Sequence, residues 1–243
     1  MPHKDREIQL VPPEARSGQD SSGKAKDVTG LPDEETAAAM ERMFWVFSLC
    51  FRYPGEEVYL RLWENRGFLE LIAREAAFET PELPDMQEMQ ADYVQLMVNN
   101  YGHVPAAPYA SCYLNKEGLL LESTQRELRR IMREAGCEPR DDIREPADHI
   151  HLLLEFCAET AGAVRRGESD LKGCEALCTV VCRYIAPMAE PFSGSIREHA
   201  RQSLYRDIAV AFRDFIREMV GLLEGEFELS EECEQEDALC SPE

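Results

Sequence analysis

The sequence lacks a long apolar run and has few positive charges. No stretch reaches the roughly 18 apolar residues that a membrane-spanning helix needs. Residues 1–20 are charged and contain several prolines where a secretory signal would be apolar. Lys and Arg number 26 against 47 Asp and Glu, for a net charge of −21. Because this charge repels polyanions, we expect no nucleic-acid partner. From the missing apolar segments we expect a cytoplasmic protein with no stable membrane insertion.

The sequence also lacks the short motifs of common enzyme classes. It contains neither a G-x-x-x-x-G-K-[ST] nor a G-x-G-x-x-G loop for phosphate binding. It has no G-x-S-x-G motif, which presents a nucleophilic serine after a strand. We therefore expect no enzyme activity, no catalytic residue and no cofactor.

Three of the nine cysteines recur every four residues, at Cys174, Cys178 and Cys182. This spacing places their thiols near one face of a helix, where thiolates could share a metal ion. Apolar residues on the same face favour buried packing instead, so no metal site is predicted. A small helical metal-binding or redox protein that uses this face is the alternative function.

Apolar residues recur mainly at helical spacing of three and four, and alternating runs typical of strands are missing. The predicted fold class is all-α, a single helical bundle over residues 33–224 with a long loop at 101–122. Residues 1–32 lack apolar periodicity and are predicted to be a disordered arm. Residues 225–243 are rich in Glu and are predicted to be a solvated acidic tail.

Proline, glycine and capping residues predict where several helices begin and end. The pattern Thr-x-x-Glu at Thr124–Glu127 and Ser-x-x-Glu at Ser195–Glu198 predicts two helix starts. Pro187 and Pro191 are predicted to end a helix that covers residues 171–188. A further helical pattern runs from residue 68 to residue 77, after Gly67.

The segment Glu145–His149 precedes the most apolar helical pattern of the chain. We predict that Pro146 occupies the first turn of this helix, with Asp148 and His149 beside its free backbone N–H groups. Two interpretations fit these residues: a helix start stabilised by an acid, and a binding site. His151 lies too close to His149 to share a face of a regular helix, so the two are expected to act separately.

Residues 145–156, EPADHIHLLLEF, resemble the E-x-P-D-H-type signature of the TorD/DmsD/NarJ redox-enzyme maturation chaperones, and the motifs are most similar to the TorD/DmsD branch. The segment Asp92–Met97 is similar to the family's Y-x-x-L-F segment, with Met97 in place of Phe. Pro108–Tyr113 is similar to its P-Y-x-S-x-Y loop. The three motifs stand in the family's order along the chain.

The resemblance implies a chaperone that catalyses no reaction. Its implied partners are the twin-arginine leader and the apo catalytic subunit of a molybdopterin-dependent oxidoreductase, held in the cytoplasm until the cofactor is inserted and the enzyme is exported. Asp148 is the expected partner of a leader arginine. A monomer and a dimer that exchanges helices are both compatible with a long loop in mid-chain. The implied leader-binding residues are Pro146, Asp148, His149, Tyr93, Pro108, Tyr109, Ser111 and Tyr113.

Overall fold

The computed structural model describes residues 32–67, 84–99, 104–115, 122–137, 145–169 and 171–226. Regular structure in these ranges is helical, apart from one isolated antiparallel bridge between Tyr109 and His149. The all-α prediction is thus confirmed. Residues 1–31, 227–243 and the predicted helix at 68–77 lie outside the described ranges.

Nine helices follow one another along the described residues. They are α1 Glu34–Cys50, α2 Glu56–Glu64, α3 Met86–Tyr93, α4 Ser111–Leu114, α5 Glu122–Glu134, α6 Ile150–Arg165, α7 Leu171–Thr179, α8 Ala186–His199 and α9 Ser203–Glu226. A wider π-helical turn extends α3 through Val94–Val98. A second π turn, Val180–Ile185, joins α7 to α8 without a break. No described helix is long and apolar enough to cross a bilayer.

Helix α6 forms the centre of the bundle and is buried along most of its length. Its main neighbour is α1, while α8 and α9 pack against each other. Aromatic rings join these layers: Phe51 lies 5.2 Å from Phe192 and 5.0 Å from Phe212, measured between ring centroids. Edge-to-face contacts of this kind stabilise a core beyond their burial alone. The predicted central apolar helix is confirmed.

The predicted break at Pro187 and Pro191 is wrong. The helix continues from α7 through the π turn into α8. Pro187 lies in the first turn of α8, and Pro191 lies inside α8. Pro187 follows directly after the change from wide to regular hydrogen bonding, where a missing N–H costs little. Both prolines are exposed, so the carbonyls they leave without a partner can bond to water.

Both predicted capping boxes are also wrong. Helix α5 begins at Glu122, so Thr124 is a buried helical residue rather than a cap. Ser195 lies inside α8, and the last helix begins at Ser203. Tertiary packing of apolar neighbours overrides the local capping pattern at both positions. The predicted helix ends at Gly136 and Gly167 are confirmed, and each glycine has a positive φ, of 78° and 69°.

A buried carboxylate fixes α3 against the end of the bundle. Both oxygens of Asp92 accept a 3.1 Å bond from the backbone N–H of Arg201, and Oδ2 accepts another at 2.8 Å from Gln202. These donors lie in the turn between α8 and α9. The Asp92–Met97 segment is therefore held rigidly, and it brings Tyr93 to one wall of the site described next.

Candidate functional site

Two of the three sequence motifs are joined by backbone hydrogen bonds. The Ala110 N–H donates to the Asp148 carbonyl at 2.9 Å, and the Ile150 N–H donates to the Pro108 carbonyl at 2.7 Å. These bonds flank the antiparallel bridge between Tyr109 and His149. The loop before α4 is thus held against the segment before α6. We call this pairing of residues 108–111 with residues 146–150 the motif clamp.

Asp148 lies inside the motif clamp. Its side chain is 0% exposed, and its Oδ2 accepts bonds from the Ser111 hydroxyl at 2.5 Å and the Ser111 backbone N–H at 3.2 Å. Its Oδ1 has no hydrogen-bond partner among the described residues. The carboxylate therefore holds the two motifs together, and a leader arginine at the surface does not reach it in this conformation.

Helix α6 begins later than predicted. His149 is its N-cap, and its ring Nδ1 accepts a 3.3 Å bond from the His151 backbone N–H. Pro146 lies in the turn before the helix, where its carbonyl accepts from the His149 N–H at 3.0 Å. The prediction that Pro146 and Asp148 occupy the first helical turn is wrong, because the backbone at Asp148 is paired with the loop instead.

His149 and His151 contact each other, contrary to the sequence argument. Their Nδ1 atoms are 2.7 Å apart and their ring centroids 4.3 Å apart. Only His151 is helical, so the spacing rule for one helix does not apply to the pair. Because His149 has the extended backbone of an N-cap, its side chain turns back over the first turn of α6.

A groove of about 890 Å³ opens beside the motif clamp. Apolar and aromatic side chains form most of its wall, and Tyr53 and Val98 are 49% and 54% exposed. Tyr109 packs edge-to-face on His149, with ring centroids 5.2 Å apart. The residues that line the groove are Tyr53, Tyr93, Met97, Val98, Val104, Ala107, Pro108, Tyr109, Cys112, Glu145 and His149.

Glu145 is the acidic residue of the groove wall. Its side chain is 47% exposed, and its Oε2 lies 4.0 Å from Nε2 of His149. Partial burial raises the pKa of this carboxyl. Burial, with a smaller contribution from Arg52, lowers the pKa of His149 to about 3. At neutral pH the groove wall therefore combines one carboxylate with a neutral imidazole.

The eight residues implied by the resemblance take different positions. Tyr93, Pro108, Tyr109 and His149 line the groove, whereas Ser111 and Asp148 lie beneath it. The remaining two, Pro146 and Tyr113, also do not line the groove. Pro146 lies in the turn before α6, and the ring centroid of Tyr113 is 6.3 Å from that of Phe192.

Sequence reasoning missed several groove residues. Among them are Tyr53, at the end of α1, and Val98, in the π turn after α3. Both stand next to breaks in the helical pattern. An aromatic residue directly before the helix-breaking pair Pro54 and Gly55 is the sequence signal that could have identified Tyr53.

A further buried acidic side chain lies on α6 beyond the histidine pair. Glu155, one helical turn after His151, is only 2% exposed. Burial raises the pKa of Glu155 to about 7, while the positive charge of Arg52 partly opposes this shift. Arg52 also lowers the pKa of both histidines. The groove therefore rests on a buried group of ionisable side chains.

The cysteine face packs into the core. Cys174 and Cys178 are buried, and the sulfurs of Cys178 and Cys182 are 3.9 Å apart. Within the described ranges, no cluster of three or more His, Cys, Asp or Glu side chains could hold a metal ion. The geometry gives the alternative metal-binding function no support in that part of the chain.

Comparison with known proteins supports the family resemblance. A family model described as nitrate reductase delta subunit matches residues 64–194. The chaperone protein YcdY of Escherichia coli K12 is 33% identical over 144 residues, which cover 59% of this chain and 70% of that protein. The chaperone protein TorD of Vibrio atlanticus is 33% identical over 85 residues, or 35% of this chain, and the match spans 38% of that protein's length.

A solved structure shares the fold. It is that of a putative redox enzyme maturation protein from Archaeoglobus fulgidus, with a TM-score of 0.53 and 22% identity, and the match covers 73% of this chain and 94% of that one. The family match extends over more than half of the chain and includes all three motifs. The chain therefore belongs to the NarJ/TorD family of redox-enzyme maturation chaperones.

Proposed function

We propose that this protein is a cytoplasmic assembly chaperone for a molybdopterin-dependent oxidoreductase. It binds the twin-arginine leader and the apo catalytic subunit of that enzyme until the cofactor is inserted and the enzyme is exported. The chaperone itself catalyses no reaction and holds no cofactor. Family membership and the groove beside the motif clamp support this proposal.

The observation that carries the proposal is the combination of aromatic walls and one accessible carboxylate in a single groove. A leader peptide presents arginine side chains beside an apolar stretch. A guanidinium group pairs with a carboxylate in a planar, two-bond geometry and also stacks on aromatic rings. The groove offers Glu145 for the first contact, Tyr53 and Tyr109 for the second, and Val98 and Val104 for the apolar stretch.

The geometry changes the role proposed for Asp148. A buried carboxylate that already accepts two bonds from Ser111 is a positioning group, so in this proposal Glu145 takes the leader arginine instead. Asp148 acts by holding Tyr109 and His149 at the groove. Loss of either carboxylate then weakens leader binding, but only Glu145 acts by direct contact.

The net charge of −21 supports a basic partner. A negative field accelerates encounter with a cationic peptide, and added salt screens that field. We assign leader binding to the helical segment, residues 33–224.

Calorimetric titration with a synthetic leader peptide tests the proposal. The peptide carries an adjacent arginine pair followed by an apolar stretch, and a control peptide has both arginines replaced by glutamine. We expect Glu145→Gln to weaken binding of the arginine peptide by about tenfold, the size of one charge-assisted contact of about 1.4 kcal/mol. The control peptide should bind the wild type and Glu145→Gln equally.

Glu134→Gln is the matched control variant. Glu134 lies on α5, where its exposed side chain pairs with Arg130 at 2.9 Å, and it does not line the groove. It removes the same charge from the protein, so a general loss of attraction would appear in both variants. Equal weakening by Glu145→Gln and Glu134→Gln would contradict the assigned contact, and no binding by the wild-type protein would contradict the proposed function.

A further inference from the structure

The histidine pair beneath the groove has a hydrogen-bonding arrangement that leader binding alone does not explain. His149 is 3% exposed and His151 is 4% exposed. Nδ1 of His149 has two nitrogen neighbours: the His151 backbone N–H at 3.3 Å and Nδ1 of His151 at 2.7 Å. At this distance, one Nδ1 of the two neutral rings carries a proton and donates it to the other.

These contacts point to one tautomer for each ring. The backbone N–H of His151 can only donate, so we assign Nδ1 of His149 as an unprotonated acceptor whose single lone pair faces this N–H at 3.3 Å and the His151 ring at 2.7 Å, the shorter and stronger contact. Nδ1 of His151 must then carry a proton and donate it to His149. Each neutral imidazole has one N–H, so the proton of His149 is on Nε2 and Nε2 of His151 is bare. Nε2 of His151 has no hydrogen-bond partner among the described residues. An unprotonated nitrogen fits this position better than a buried N–H donor without an acceptor.

Nε2 of His149, which carries the proton in this assignment, is the ring nitrogen paired with Glu145, and both residues line the groove. The groove residue Glu145 has its Oε2 4.0 Å from this nitrogen, too long for a hydrogen bond. The Nε2–H of His149 is thus a hydrogen-bond donor for an acceptor on a bound ligand. A guanidinium group has only donors, so the arginine of a leader cannot serve, but a peptide carbonyl can.

We propose that neutral His149 donates its Nε2–H to a backbone carbonyl of the bound leader, and that His151 is the positioning residue that fixes this tautomer. The inference rests on the proposed function, and it divides the recognition chemistry between two groups. Glu145 takes a leader arginine, which identifies the side chain. His149 takes a carbonyl, which requires the leader to lie extended along the motif clamp.

Burial and Arg52 favour neutral rings in the pair, whereas its acidic neighbours oppose them. Arg52, at the end of α1, disfavours a second positive charge and lowers the pKa of both histidines, after burial as the larger cause. Tyr93 from α3 and Tyr109 from the loop face the groove side. Glu145 stands at the exposed rim, and Glu155 lies below on α6. Burial and Arg52 outweigh these acids, so the pair stays neutral at physiological pH.

Long-range ¹H–¹⁵N NMR of the imidazole nitrogens reads these tautomers in the full-length protein without any peptide. We expect His149 as the Nε2–H form and His151 as the Nδ1–H form. His151→Asn places an amide N–H near the lost Nδ1–H and should keep the tautomer of His149. His151→Leu removes the 2.7 Å contact and leaves only the longer, 3.3 Å contact with the backbone N–H, so the tautomer of His149 should shift toward a mixture. A cationic pair at neutral pH, or an Nδ1–H form of His149, would overturn the inference.

Binding of the arginine-containing leader peptide tests the donor. The amide of His149→Gln reaches the position of Nε2, while that of His149→Asn reaches the position of Nδ1. We expect His149→Gln to lose no more than about threefold in affinity and His149→Asn about tenfold, which corresponds to about 1.4 kcal/mol. Thermal unfolding followed by circular dichroism confirms that each variant is folded.

The two proposals fail in different ways. If the wild type binds the peptide but His149→Gln binds no better than His149→Asn, the carbonyl contact is wrong and the proposed function stands. If His151→Leu binds as tightly as the wild type, His151 does not position His149 for binding. If the wild type does not bind the peptide at all, both proposals are wrong, whatever the tautomers are.

Discussion

Asp148 joins the two motifs that form the groove, so its removal should destabilise the fold and weaken leader binding together. The carboxylate is completely buried and accepts bonds from both the hydroxyl and the backbone N–H of Ser111. Asp148→Ala deletes the acceptor and leaves both donors buried. Asp148→Asn removes the charge and keeps one acceptor oxygen, but it replaces the other oxygen by an NH2 donor.

The contacts set the expected size of the effect. A hydrogen bond to a charged group contributes roughly 1.5–3 kcal/mol, and a buried donor left without a partner costs roughly 1–3 kcal/mol. We therefore expect Asp148→Ala to lower the free energy of unfolding by about 3–5 kcal/mol, and Ser111→Ala by about 2 kcal/mol. The double variant should lose about 1–2 kcal/mol less than the sum of the losses in the two single variants, because Asp148 and Ser111 share one interaction.

Urea unfolding monitored by circular dichroism measures these differences. Asp214→Ala is the control: this aspartate on α9 forms surface ion pairs with the half-buried Arg213 and the exposed Arg217, and surface pairs contribute about 0–1 kcal/mol. Additive effects of Asp148→Ala and Ser111→Ala would refute the coupling. So would a loss in Asp148→Ala no larger than that in Asp214→Ala.

Three further predictions concern stability. Glu155 binds its proton more tightly in the folded state, so unfolding free energy falls as pH rises from 4.5 to about 7. The unfolding free energy of Glu155→Gln, relative to that of the wild type, should therefore rise by roughly 3 kcal/mol over that window. Urea unfolding at each pH measures this difference, and the opposite pH trend of the histidines drops out because both proteins contain them. Gly167→Ala should lower stability by about 1 kcal/mol because the φ of Gly167 is +69°, whereas Gly221→Ala, in open space on α9, should raise it by about 0.5–1 kcal/mol. Thermal melts compare the two variants, and equal effects would contradict the left-handed backbone assigned to Gly167. Phe212→Ala should cost about 3–5 kcal/mol through a cavity among the core rings, with Phe212→Leu much milder in urea unfolding, and a loss below 1 kcal/mol would contradict the packing.

The all-α class and the central helix could be predicted because they depend on apolar periodicity over many residues. The stripe from Ile150 to Ala161 is long enough that packing and local preference agree. Helix ends were harder to predict. Pro187 and Pro191 break helices in isolation, but the π turn and solvent exposure accommodate both within a continuous helix.

The sequence indicates which segments form the groove wall, but not which of their side chains face the groove. The motifs around Tyr109 and His149 are paired in the structure, and both residues line the groove. Which side chain faces outward depends on the bridge between those residues, and no local pattern encodes a pairing across that distance. For this reason the sequence assigned the arginine contact to Asp148, whereas the structure buries Asp148 and exposes Glu145.

The most direct test of leader binding at the groove is amide hydrogen exchange with and without the arginine-containing leader peptide. Bound leader should slow exchange in residues 104–112 and 145–151 and leave the outer face of α5 unchanged. Glu145→Gln should reduce this protection at the same peptide concentration, and Glu134→Gln should not. Protection confined to another face, such as the one between Glu34 on α1 and Arg165 on α6, would contradict the account.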